Sequence, residues 1–166
     1  MKQFFLSLIF TFIICFPCIC QETFTLKKPD VQKIHQTLQE SDYLKSAIFL
    51  YLENNYGKNS QKKIIKKDSD GITECGFSKV FQHNIEYEIE QCNEVSYEIQ
   101  KITFPKTSME AIKKWVELIY EAGFTKIKNV WYPNENKYGP KDKEAGCYFQ
   151  IKQTKDTTIV NIWCGS

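Results

Sequence analysis

Cys147-Tyr148-Phe149-Gln150-Ile151-Lys152-Gln153-Thr154-Lys155-Asp156-Thr157-Thr158-Ile159-Val160-Asn161-Ile162-Trp163-Cys164 alternates apolar and polar side chains on either side of a polar centre. Side chains along a strand point to opposite faces in turn, so this reads as two half-buried strands around a turn near Thr154 to Thr157. If the chain folds back so that Cys147 faces Cys164, antiparallel pairing sets Phe149 opposite Ile162 and Ile151 opposite Val160. The other face then carries Tyr148 opposite Trp163 and Gln150 opposite Asn161. A slip of one residue would mix the two faces, so the hydrophobic pattern and the cysteine spacing specify the same register. The expectation is a hairpin closed by a Cys147–Cys164 disulfide within an antiparallel sheet.

Ahead of this hairpin the sequence predicts a strand from Phe124 to Tyr132 and a polar loop from Pro133 to Ala145. A helix over residues 108 to 122 precedes them. Thr107-Ser108-Met109-Glu110 reads as a capping box, Ile112, Trp115, Val116 and Ile119 fall at i, i+3, i+4 and i+7, and Gly123 stands at the stop.

Further back, Ile85, Tyr87 and Ile89 alternate with Glu86, Glu88 and Glu90, and Val95, Tyr97 and Ile99 alternate again. Ile102 and Phe104 resume out of phase, which predicts a bulge at Gln100-Lys101, and Pro105 ends the strand. With Ile72 onward this gives three strands in meander order. Setting Cys75 opposite Cys92 places Phe77 against Glu90, Lys79 against Glu88 and Phe81 against Glu86, and only the middle pair is attractive. The Cys75–Cys92 bridge therefore rests on elimination, as one of three connectivities open to four cysteines. Each bridge spans 17 positions and contributes on the order of 3 kcal/mol through loop entropy.

Residues 30 to 55 read as one bent helix or two short ones. Pro29-Asp30 opens the first, Ser41-Asp42 is a fresh N-cap, and Gly57 is the stop. Between Gly57 and Gly71 the lysine-rich run reads as a solvated loop entering a turn at Asp68-Ser69-Asp70-Gly71. A calcium loop is excluded, because with Gly71 as its sixth residue the first and twelfth would be Lys66 and Phe77.

The fold class is thus α+β: an antiparallel β-sheet with helices packed on it, in the order helix(es)-βββ-helix-βββ, with disulfide-stapled hairpins. Residues 29–166 form a single α+β domain behind an extended arm at 21–28. One cysteine pair in each half, at an offset of 72 residues, suggests two similar halves, approximately 29–105 and 106–166. In architecture this order resembles the tandem helix-plus-sheet inhibitors of beta-lactamase, which also carry one disulfide per repeat. No shared motif accompanies the likeness.

Residues 1–20 have the layout of a cleaved signal peptide: one basic residue, an apolar run from Phe4 to Phe16, and small side chains at the minus-three and minus-one positions of a site after Cys20. Cleavage would remove Cys15, Cys18 and Cys20 together. Lipidation of Cys18 or Cys20 and an uncleaved anchor are the competing readings. Four cysteines behind an export signal predict an extracytoplasmic, periplasmic or secreted protein with no membrane span after cleavage. Lys2 aside, 21 lysines face 20 acids and there is no arginine. Near-neutral charge and the lack of guanidinium forks argue against nucleic acid as a partner.

The catalytic inventory is thin. His35 reads as a surface residue and His83 as a turn residue, all four remaining cysteines are assigned to bridges, and no phosphate-cradling or metalloprotease motif occurs. No catalytic residue, metal or cofactor is assigned, and an enzyme would have to use carboxylates. Glu86, Glu88 and Glu90 share one sheet face with neighbours roughly 6 to 7 Å apart, a spacing glycosidases use, although parallel side chains on one strand suit a basic partner better. Trp131, Tyr132 and Tyr138 mark a second candidate, an aromatic-tipped segment running to Pro140. The reading that combines these features is an exported, disulfide-stabilised binding or inhibitory protein, of immunity or inhibitor type, whose partner is another protein. An envelope hydrolase using carboxylates and a glycan- or cell-surface-binding accessory domain are the alternatives.

Overall fold

The computed structural model describes residues 24–40, 47–57, 60–92, 97–123, 128–142 and 144–165. The leader, the Ser41-Asp42 cap, Val95 and the segment 124–127 lie outside them. Two short helices, α1 (Val31–Glu40) and α2 (Ala47–Tyr56), precede four strands: β1 (Lys63–Lys67), β2 (Glu74–Val80), β3 (Glu86–Glu90) and β4 (Tyr97–Pro105). Helix α3 (Met109–Gly123) then leads into β5 (Asn129–Tyr132), β6 (Lys137–Pro140), β7 (Gly146–Gln153) and β8 (Thr157–Gly165). All pairings are antiparallel, in one eight-stranded sheet of order β1-β2-β3-β4-β8-β7-β6-β5. The α+β class holds, with four strands in each half rather than three. The two meanders meet back to back through their final strands, β4 and β8.

The terminal hairpin has the register read from its sequence: Cys147 faces Cys164, Phe149 faces Ile162, Ile151 faces Val160 and Tyr148 faces Trp163. Cys147 and Cys164 are bridged across the pair, with Cα atoms 4.0 Å apart. Cys75 and Cys92 are also bridged, but the strands around them pair one residue away from the symmetric expectation. Phe77 faces Ile89, Lys79 faces Tyr87 and Ser78 faces Glu88. That slip moves Phe77 and Ile89 to the core face and leaves Glu86, Glu88 and Glu90 on the other, which the symmetric register could not do. The two disulfides are therefore not equivalent: one ties β2 to the end of β3, the other ties β7 to β8. The halves instead correspond at a shorter offset, with β3 and β7, and β4 and β8, each beginning 60 positions apart.

The predicted bulge at Gln100-Lys101 is absent, since β4 pairs without interruption with both β3 and β8. The change of phase in the sequence has another cause. Ile99 lies on the solvent face, and the core position next to it is taken by Gln100, which is fully buried and accepts a hydrogen bond of 2.8 Å from the Tyr87 hydroxyl. Gln100 Nε2 in turn donates to Glu98. A buried amide satisfied at both ends is tolerated where an unpaired one would cost 1 to 3 kcal/mol.

The lysine-rich run is not wholly loop, because Lys63–Lys67 forms the edge strand β1, with register shifts on both sides of Lys66. Exposed lysines and irregular pairing are the usual means of discouraging a further strand at such an edge. The helix cap also differs in detail. Ser108 Oγ accepts from the Ala111 backbone N–H, whereas Thr107 is turned to the Pro105 carbonyl and to Thr158.

Helices and sheet share one core. Ile48, Tyr51 and Leu52 from α2 and Ile112, Trp115, Val116 and Ile119 from α3 pack with Phe81, Ile85, Tyr87, Ile102, Phe104, Phe149, Ile151, Val160 and Ile162. The strand residues among these all belong to one face, and Phe81 and Ile85 flank the short turn between β2 and β3. The arm at residues 24–28 is drawn into the same core: Phe24 packs near Tyr56 and Phe104, and the Lys27 carbonyl accepts from Tyr51 at 2.6 Å. Helices cover one face of the sheet, and no described element covers the other. No helix among the described residues is long and apolar enough to cross a membrane.

Candidate binding face

The uncovered face divides into two chemically distinct halves along the β4–β8 seam. On the β1–β4 side it is a charged ladder. Lys66 pairs with Glu90 at 2.7 Å, Glu88 pairs with Lys101 at 3.3 Å, and Glu86 stands opposite Thr103. All three glutamates predicted to share a face do so. Two of them are held by lysines across the strands, so they form a solvated ladder rather than a convergent acid pair.

On the β8–β5 side the face is aromatic. Trp163 on β8 and Tyr148 on β7 have ring planes within 17° of parallel and centroids 5.8 Å apart, and Tyr132 on β5 follows at 6.4 Å from Tyr148. Gly139 on β6 makes this possible, because the Tyr148 ring occupies the space where a side chain at that position would be. Tyr148 donates to the Glu144 carbonyl at 2.8 Å, and Tyr132 donates to the Pro140 carbonyl. Desolvation, followed by the neighbouring Tyr132, holds the Tyr148 phenol above its usual pKa, so it stays neutral at physiological pH. Ile99, 40 % exposed, is the neighbour of Trp163 across β4 and extends the strip over the seam.

Lys137 sits at the middle of these rings. Its Nζ lies 5.2 Å from the Tyr132 centroid, 4.6 Å from Tyr148 and 5.4 Å from Trp163. Each such contact is worth roughly 0.5–1 kcal/mol at an exposed site. Among the described residues this ammonium has no carboxylate partner.

The other two aromatic candidates point away from this face. Trp131 and Tyr138 oppose each other across β5 and β6 on the helix side, with rings 5.0 Å apart. Trp131 Nε1 donates to Glu117 on α3 at 3.0 Å, and Tyr138 packs against Tyr120 at 5.5 Å. The polar loop predicted from Pro133 to Ala145 is interrupted by β6, and its first part, 133–136, is a tight hairpin turn with Asn134 and Asn136 at positive φ, a conformation asparagine tolerates better than most residues. Tyr148, Trp163, Lys137 and Ile99 are the members of the strip that site reasoning from sequence passed over. The signal was present for two of them, since Tyr148 and Trp163 pair on the polar face of the terminal hairpin.

Among the described residues one cluster has metal-ligating residue types, Asp68 with Cys75 and Cys92. Both sulfurs belong to the disulfide, so the cluster offers a single carboxylate and no thiolate. A recess of about 200 Å³ lies on the helix side of β1–β3, lined by Ile64, Phe77, Ile89 and the Cys75 disulfide with Lys62 at its rim, and it includes none of the three glutamates. Comparison with protein-family models, curated proteins and solved structures finds no match for this chain.

Proposed function

We propose that the chain is a non-catalytic binding protein, of inhibitor or immunity type, that acts in an oxidising compartment outside the cytoplasm and engages another protein through the open face of its sheet. The observation that carries this reading is the continuous strip Ile99–Trp163–Tyr148–Tyr132 on a face that no described element covers. Trp and Tyr contribute large rigid contact area at little entropic cost and dominate binding hot spots. The charged ladder beside them suits the polar rim that fixes register and excludes wrong partners. Size is adequate too: eight strands at about 4.8 Å spacing and about 20 Å average length offer roughly 700 Å², close to the ~800 Å² that each partner contributes to a standard interface.

A hydrolase is the weaker reading, because Glu88 and Glu90 are held by Lys101 and Lys66. Glycan binding draws support from Gln150 and Asn161, whose amides adjoin the aromatic strip. Affinity capture with the whole chain tests the protein-partner reading. One stoichiometric partner should be recovered from an envelope extract and lost with Trp163→Ala. Recovery of no partner under several conditions, or capture indifferent to Trp163, overturns the reading. Retention on cell-wall material that depends on Trp163 would favour the glycan reading instead.

A further inference from the structure

Resting on the reading of the open face as a protein-binding surface, we propose that Lys137 is the centre of a carboxylate-binding site and that the partner presents an acidic segment, an Asp or Glu flanked by apolar side chains, to it. Three observations carry this. First, the Lys137 ammonium lies over Tyr132, Tyr148 and Trp163 together. The faces on which a sugar ring or a partner cation would stack are therefore already occupied by a cation, and what the strip turns to solvent at its middle is positive charge on an apolar base. Partial desolvation by three rings strengthens an ion pair formed there relative to one in open water.

Second, the polar residues beside Lys137 form a row in register across the sheet. Lys137 faces Gln150 on β7, Gln150 faces Asn161 on β8, and Asn161 faces Lys101 on β4. Among the described residues neither amide side chain is engaged in a hydrogen bond, so each can turn an N–H toward an acceptor. At about 4.8 Å per strand, Lys137 and the first amide can reach a single carboxylate together, and the second amide can reach its neighbour.

Third, the strand positions of β5–β8 on this face carry Lys137 and Lys152 and no acid. The acids of the open face lie on the far side of the seam at Glu86, Glu88 and Glu90. Glu88 and Glu90 are already paired with Lys101 and Lys66, whereas Lys137 and Lys152 have no carboxylate partner among the described residues, so an incoming acid is drawn to the aromatic half.

The test uses short fluorescent peptides matched in length and apolar content, carrying Glu, Gln or Lys at the charged positions and titrated by anisotropy against the whole chain. Glu peptides should bind about tenfold more tightly than their Gln counterparts, and the margin should shrink as salt is raised. Lys137→Arg should keep the preference and Lys137→Met should erase it, with far-UV circular dichroism confirming the fold of each. Equal binding of Glu and Gln peptides, a preference that survives Lys137→Met, or tighter binding of Lys peptides or neutral sugar oligomers overturns the proposal. The salt titration of the unaltered chain decides the matter even if Lys137→Met does not fold. A captured partner whose binding depends on Trp163 but not on the charge at Lys137 would remove this inference and leave the function of the face standing.

Discussion

The Tyr148 ring lies over Gly139: a Cβ at residue 139 would stand 2.4 Å from Tyr148 Cδ1 and 3.1 Å from the Cys147 carbonyl oxygen. The ring must lift before any larger residue fits, and lifting it breaks the strip between Trp163 and Tyr132. Gly139→Ala should therefore cost about 1–2 kcal/mol in urea unfolding. Partner or peptide affinity should fall by more than that loss explains, and an affinity unchanged in the folded variant would show that the ring's seat does not matter.

Two tryptophans should separate stability from binding. Trp131 is fixed to α3 through Glu117 and stacked on Tyr138, so Trp131→Ala should lower unfolding free energy by on the order of 2 kcal/mol, less than a fully buried tryptophan. Trp163 lies on the uncovered face, and Trp163→Ala should lower stability much less while abolishing capture. Denaturant midpoints measured beside binding would expose the reverse pattern if it held.

At the end of α3 a Cβ added to Gly123 would lie 2.0 Å from the Ala47 Cβ at the start of α2. Ala47 is buried and α2 has no free path outward, so Gly123→Ala forces the helices apart. Calorimetry should record a destabilisation of about 1–3 kcal/mol, against the small gain that Ala brings to an open helix position.

Glu98 gives a pH dependence with a defined sign. Burial raises its carboxyl pKa in the fold, partly offset by the bond from Gln100. Below the unfolded pKa both states hold the proton and there is no penalty. As pH rises from the unfolded to the raised folded pKa the folded state is penalised, and above that the penalty is constant. Glu98→Gln should stabilise the protein at neutral pH, and the gain should vanish as pH falls through the carboxylate range. A gain independent of pH, followed by thermal unfolding, would show that ionisation is not its origin.

The terminal hairpin was legible because three separate constraints, the apolar face, the polar face and the cysteine spacing, demand one register. The first disulfide hairpin lacked that redundancy, and symmetry about Cys75 and Cys92 misled by one residue. Strands β1 and β6 were hidden for physical reasons: an edge strand rich in lysine looks like solvated loop, and Lys137-Tyr138-Gly139-Pro140 carries two residues that usually end strands. Gln100 broke the alternation of β4 because a buried amide is indistinguishable by pattern from an exposed one. The three glutamates were placed on one face by alternation alone. Which face stays open was not readable, since that depends on where the helices pack, and for that reason Trp131 and Tyr138 entered the candidate site while Tyr148, Trp163 and Lys137 did not.

The seam between β4 and β8 has a kinetic corollary. Its partners lie between 52 and 68 positions apart along the chain, from Pro105 with Thr157 to Tyr97 with Gly165. Contacts of such separation form late, because the loop must close before any of them rewards it. Until they form, each half presents its final strand as a bare edge, one of the species most prone to pair with another chain. The strand pair that unites the two chemistries of the open face is therefore also the step at which the molecule is most exposed to misassembly. Mutations that loosen the seam should lower the yield of folded protein before they show as lost affinity.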